Sequence, residues 1–317
     1  MTRTRAVLCA VFCLLLTAVA GCGGSRDGSD ANVGQQPQGA DLRITLGTQA
    51  FPEARILGEL WRQALAVNGF AVDLRKGVGP AADLDELLQD GAIDGHVAYT
   101  GTVLSVVAGQ EVSGLDPQET YRRAKAFYGE RDMAMSAMTP FQNKDAIATT
   151  RVFAQREGLK SIADLRRVDG LTLGARPEFE DLELGLVGLE ERYGLTDVEF
   201  RPLELGTQYA ALDEGAVDAV NAFTTDPQLR EGDYAILEDP ELLFGSQNVV
   251  MTVRKAKLDS VGGKKFLAVV SAVNRRLTQS DMVDMNAEVT NGDSDEDVAR
   301  RFLREAGMME PMRLDDA

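Results

Sequence analysis

The sequence predicts an α/β protein of two similar lobes, each a mainly parallel sheet flanked by helices. Three observations predict it. The phrase "LQDGAIDGHVAYTGT" at Leu88–Thr102 recurs as "LDEGAVDAVNAFTTD" at Leu212–Asp226, a constant 124 residues on. Upstream, "LRITLGTQAFPE" (Leu42–Glu53) recurs as "LTLGARPEFE" (Leu171–Glu180), with Leu46-Gly47 matching Leu173-Gly174 at an offset of 127. Between the matched pieces, β-rich runs alternate with apolar residues at helical spacing.

Each copy reads strand–helix–strand–helix–strand, which implies parallel pairing with helices packed on the sheet. The first helix carries Ile56, Leu57, Leu60, Trp61, Ala64 and Leu65 on one face and ends at Asn68-Gly69. Its counterpart runs through Leu182, Leu186, Leu189 and Tyr193 and ends at Tyr193-Gly194, a glycine stop in both cases. The strands "FAVDLRKG" and "DVEFRPLE" come next, then a helix into Gly91 or Gly215, then the strands "AIDGHVAYT" and "AVDAVNAFT". After the second copy the chain returns with the strand "VVMTVR". Helical patterns follow at Lys264–Leu277, Asp281–Val289 and Glu296–Ala306, with Ser280 and Ser294 as candidate N-caps. One lobe is thus expected to hold 41–141 plus 249–317, and the other 142–248. Two crossings, near 140–146 and 244–250, would form a hinge.

The first residues stand apart. Arg3 and Arg5 precede an apolar run from Ala6 to Val19, and "VAGC" ends at Cys22. A run this short behind Arg reads as an export signal over 1–21 rather than a membrane span. Cys directly after Ala-Gly resembles the lipobox of bacterial lipoproteins, which implies a lipid on Cys22. Residues 22–40 are rich in Gly, Ser and Gln and read as a flexible tether. The net charge of −17 becomes −19 once Arg3 and Arg5 leave with the signal. Such a surface is a poor match for nucleic acid, whose binding rests on neutralised phosphates. Cys9 and Cys13 leave as well, so no thiol chemistry remains, and His96 is the sole histidine. Neither a metal site nor a cofactor is expected, since no ligand cluster and no Gly-rich phosphate loop is present.

Open α/β sheets bind ligands beyond the C-terminal ends of their strands. The repeat places Tyr99 and Phe223 at such ends, with Thr102, Thr225 and Asp226 in the loops that follow. Phe51 and Phe179 occupy near-equivalent turns after each lobe's first strand, and Gln49 shares the first of them. Glu53 reads as a complement to its helix dipole, Trp61 as core, and Asp226 before Pro227 as a possible helix cap.

"AFPEARILGELWRQAL", "AYTGT", "SIADL", "QYAALDEGAVDAVNAFTTD" and "MNAEVTNGDSDEDVARRFLREAG" resemble the solute-binding lipoproteins of bacterial ABC importers for glycine betaine, choline and carnitine. The resemblance covers almost all of 41–307. It implies the type II periplasmic-binding-protein fold and no catalysis. It also implies a monomer anchored to the outer face of the cytoplasmic membrane, with permease and ATPase subunits as partners. In that family a cage of aromatic faces surrounds a trimethylammonium head. Tyr99 and Phe223 keep aromatic positions, whereas Asp145 and Gln247 stand where the family often has Tyr. The departure leaves the ligand open: a betaine-type solute, an amine, a histidine betaine or an aromatic compound. A surface-anchored hydrolase using carboxylates such as Asp145 and Asp226 is the rival of another class.

Overall fold

The computed structural model describes residues 43–312, Leu205 excepted. The signal 1–21, Cys22 and the tether 22–40 lie outside the described residues. Among the described residues there are ten strands: β1 (Arg43–Gly47), β2 (Ala71–Arg75), β3 (Gly95–Tyr99), β4 (Met133–Met135), β5 (Asp145–Thr150), β6 (Thr172–Ala175), β7 (Glu199–Pro202), β8 (Ala219–Phe223), β9 (Tyr234–Ile236) and β10 (Val249–Arg254). They form two five-stranded sheets, ordered β2-β1-β3-β10-β4 and β7-β6-β8-β5-β9.

The two orders are the same once matched along the repeat. β1 pairs in parallel with β2 and β3, as β6 does with β7 and β8. The fourth strand of each sheet, β10 or β5, is the one that enters from the other lobe, and it runs antiparallel to both neighbours. Each sheet is therefore mixed, with four strands in one direction and the crossing strand against them. The chain passes between sheets twice, and Gln142 and Asn248 pair as an isolated antiparallel bridge where it does so. There Asn143 N–H also donates to Gln247 O (3.2 Å).

The repeated phrase has a local cause. Gly91 and Gly215 lie at φ +74° and +67°, a region that costs a Cβ-bearing residue energy. Each lets the chain turn out of a helix and into the third strand. Three residues later the repeated Asp clamps that strand to the first one. Thr45 N–H donates to Asp94 Oδ2 and Thr172 N–H to Asp218 Oδ2, both at 2.9 Å. The phrase then ends in register. Tyr99 faces Val249 across one ladder and Phe223 faces Asp145 across the other.

Packing follows the apolar faces. Trp61 is buried in the first core with Leu57, Leu60 and Phe266, and its Nε1–H finds Asn274 Oδ1 at 2.8 Å, as a buried indole should. The second lobe departs from the helix expected through Leu182. A 3₁₀ turn, Pro177–Asp181, comes first, and the α-helix spans only Leu186–Tyr193. A Cβ on Gly185 would lie 2.2 Å from Phe179 O, and one on Gly188 2.2 Å from Glu183 O. The chain folds too closely on itself here for a continuous helix. At the C-terminal end, Ser294 caps its helix as expected, accepting Asp297 N–H at 3.1 Å. Ser280 does not cap. Thr278 does, in a reciprocal box with Asp281, and the helix Gln279–Thr290 begins two residues early.

Candidate ligand-binding cleft

The loops after β1, β3, β6 and β8 meet where the chain crosses between sheets. They enclose two adjoining cavities, of about 360 Å³ and 190 Å³. Phe51, Asn143 and Phe223 line both. The smaller is walled by Gln49, Tyr99, Thr102, Lys144, Asp145 and Gln247, with Leu184 and Phe244. The larger adds Glu53, Thr225, Asp226 and Asn286, and among the described residues no Lys or Arg lines it.

Four rings reach this cleft. Tyr99 and Phe223 are there because each ends a third strand. Phe51 precedes the helix Pro52–Val67 and stays 39 % exposed, its ring centroid 5.9 Å from that of Tyr99. Phe244 closes the smaller cavity from the second crossing. Phe179, expected in the wall, lines neither cavity. It is fully buried in the second core and packs against Phe244, centroids 6.3 Å apart. The 127-residue offset pairs Phe51 with Glu178, so Phe179 falls one residue late, and the 3₁₀ turn rolls it inward.

Glu53 does more than complement a helix. Its carboxylate is buried, with the residue 2 % exposed. It accepts the Tyr99 hydroxyl (2.8 Å) and Asn143 Nδ2 (3.1 Å) at Oε1, and Asn286 Nδ2 (3.3 Å) at Oε2. Burial pushes its pKa up, and these neutral donors pull only part of the way back. Among the described residues no Lys or Arg bonds to it. Burial raises the Tyr99 phenol far above its usual range, and the nearby Glu53 adds to this. Asp226 is also held by neutral donors, Phe223 N–H and the Tyr209 hydroxyl, both at 2.9 Å. Its pKa is likewise raised, first by burial. Its side chain braces the turn after β8 and does not cap the next helix.

The two residues at the family's Tyr positions are both engaged. Asp145 Oδ1 accepts Arg176 Nη1 at 2.7 Å and Asn221 Nδ2 at 2.9 Å. It is not a free carboxylate. The Arg176 guanidinium in turn lies 5.8 Å from the Phe223 ring centroid. Gln247 Oε1 takes the Thr102 N–H at 3.0 Å and the Thr102 hydroxyl at 3.3 Å. That bond ties the second crossing to the loop after β3.

Sequence reasoning passed over Arg176, which pairs with the wall residue Asp145, and among the wall residues themselves Asn143, Asn286 and Phe244. Arg176 was within reach, because the 127-residue offset equates it with Gln49. The other three stand in the stretches "FQNKDAI", "MNAEVTNGD" and "FGSQN". Among the described residues no three His, Cys, Asp or Glu gather as a metal site, and no helix is long and apolar enough to cross a membrane.

Residues 43–305 match the family described as the substrate-binding domain of ABC-type glycine betaine transport systems. The chain belongs to that family. Its members are solute-binding components of transporters. The fold is that of type II periplasmic binding proteins. A crystal structure of a glycine betaine/carnitine/choline ABC transporter protein superposes with a TM-score of 0.77, over 84 % of this chain and 100 % of that one, at 20 % identity. Among curated relatives, the ergothioneine transport permease/ergothioneine binding protein of Helicobacter pylori is 22 % identical over 84 % of this chain and 48 % of its own length. The carnitine transport binding protein of Listeria monocytogenes is 23 % identical over 63 % of this chain and 67 % of its own. The chain thus spans about half the length of the first of these.

Proposed function

We propose that this chain is the extracytoplasmic solute-binding lipoprotein of an ABC importer, and that its cleft takes a small cationic or zwitterionic solute of the quaternary-ammonium type. One observation carries the reading. The larger cavity joins the Phe51 and Phe223 rings to a buried carboxylate, Glu53, and a half-buried one, Asp226, with no Lys or Arg among the described residues of its wall. Ring faces attract a cation by roughly 0.5–2 kcal/mol each, and the carboxylates add charge at low dielectric. Lys144 in the smaller cavity would receive the carboxylate of a zwitterion. Tyr99, Phe223, Phe51 and Phe244 form the aromatic wall. Thr102, Gln247 and Asp145 hold its frame.

The lobes are 41–141 plus 249–317, and 142–248, hinged at the two crossings. Closure delivers the solute to permease and ATPase subunits, so the chain itself carries no catalysis. It works as a monomer, held at the outer face of the cytoplasmic membrane by a lipid on Cys22. The hydrolase reading loses support, because Asp145 is paired with Arg176 and Asp226 braces its own turn.

A thermal-shift panel on the full chain tests this. Choline, betaines and carnitine should stabilise it, a ligand at 100 times its Kd adding about 2.7 kcal/mol. Stabilisation by anions alone would sink the reading.

A further inference from the structure

The cleft wall holds more hydrogen-bond acceptors than it can satisfy. Asn143 spends its amide nitrogen on Glu53 Oε1, and Asn286 spends its own on Glu53 Oε2 and on Thr225 O (3.0 Å). These partners fix which way each amide faces. A carboxylate and a carbonyl only accept, so turning either amide over would set oxygen against oxygen. Asn143 Oδ1 and Asn286 Oδ1 are thereby left as acceptors. Both are buried, and neither has a partner among the described residues. Asn286 is 7 % exposed, and both residues line the larger cavity. In the smaller cavity Gln49 Oε1 is a third such buried atom.

A buried acceptor is costly unless something donates to it. A solute that displaces cleft water must supply those donors or lose affinity. The methyl groups of a trimethylammonium supply none, and a carboxylate supplies none. Glycine betaine consists of just these two groups joined by one carbon.

We infer that the solute carries, besides its cationic group, at least one N–H or O–H donor that is received by Asn143 and Asn286. This rests on reading the cleft as a cation site. The rings and Glu53 hold the methylated head, and the amide oxygens read a donor a few atoms away. The acceptor wall is then the element that discriminates among methylated cations, disfavouring glycine betaine and favouring hydroxyl- or N–H-bearing solutes.

Matched probes isolate the donor. Carnitine and γ-butyrobetaine share cation, chain length and carboxylate and differ by one hydroxyl. In choline's O-methyl ether a methyl group replaces the hydroxyl hydrogen, so the oxygen stays and the donor is lost. In calorimetric titrations of the full chain, the donor-bearing member of at least one pair should bind about tenfold tighter, the effect of one well-made hydrogen bond. Glycine betaine should bind worse than that member. In Asn286→Leu or Asn143→Leu the ratio within that pair should fall towards one, whatever happens to absolute affinity. If one variant fails to fold, the other carries the test. Equal affinities within both pairs would overturn the inference, as would a ratio that survives in both variants. Should no methylated cation bind while protonated amines or imidazoles do, the quaternary-ammonium reading falls and the acceptor wall stands. If nothing with a positive charge binds, both fall together.

Discussion

Asp145 shows how a residue's neighbours decide what its charge can do. The structure sets it opposite Phe223, and its position follows from the resemblance. Its partner does not, because Arg176 lies 31 residues away on another strand's end. As a free carboxylate Asp145 would draw a cation; paired, it contributes little net charge. Removing each partner separates the two. Arg176→Ala should leave Asp145 unpaired in the cleft and raise choline affinity, by about 1–2 kcal/mol for charges interacting across a partly solvated site. Asp145→Ala should free the guanidinium, leave it beside Phe223, and lower choline affinity by a similar amount. Calorimetric titration of both variants reads the two signs. A fall in both would mean the pair acts only as a scaffold. Asp145→Tyr would not restore a cage wall by itself, since it strands the same guanidinium.

At the scale of elements, the repeat was legible because its chemistry is local. Gly91 and Gly215 need positive φ, and Asp94 and Asp218 clamp their own neighbouring strands. Helix ends at Gly69 and Gly194 and the Ser294 cap were legible for the same reason. Elsewhere the deciding contacts were not written nearby. The shortened helix after Pro177 depends on how closely Gly185 and Gly188 approach carbonyls across a turn. Apolar spacing alone could not show it. Asn143 and Asn286 are ordinary polar residues until the fold brings them from positions 143 residues apart in sequence to one carboxylate. The loop after β3 adds a further case, since Gly101 has ordinary backbone angles and its need is spatial. A Cβ there would lie 2.6 Å from Ser246 O and 2.9 Å from Gln247 Cδ. Gly101→Ala should push the second crossing off the loop and loosen the Gln247–Thr102 bonds. Chemical denaturation should show a loss of about 1–3 kcal/mol, as for other overpacked sites. Choline binding should weaken as well. An unchanged midpoint would show that the crossing is free to move there.

Over the whole molecule, the lobes are linked by more than the two crossings. The helix Gln279–Thr290 reaches over the cleft. Gln279 Nε2 donates to Gln142 O (3.0 Å) and Thr224 O (2.8 Å), and Arg230 pairs with Asp284 at 3.0 Å. Asn286 joins Glu53 of the first lobe to Thr225 of the second. Glu53 therefore stands where the two lobes and the aromatic wall meet, and its protonation should report on a cation bound beside it. Burial raises its pKa above the ordinary 4.5. The folded protein without ligand thus holds this proton more tightly than the unfolded chain does. Stability from this group is present at low pH and declines as pH rises through the raised pKa. A cation favours the carboxylate, so binding should release the proton, and affinity should climb with pH over the same window. Asp226, also raised by burial, titrates in the same direction, and Tyr99 is shifted well above it. Glu53→Gln separates these contributions. The deciding measurement is choline affinity of the full chain against pH, upward from 4.5, beside Glu53→Gln. Affinity that rises with pH in the native chain, and is weaker and nearly flat in the variant, is the predicted result. Affinity indifferent to both pH and Glu53 would contradict a cation held between the lobes at this carboxylate.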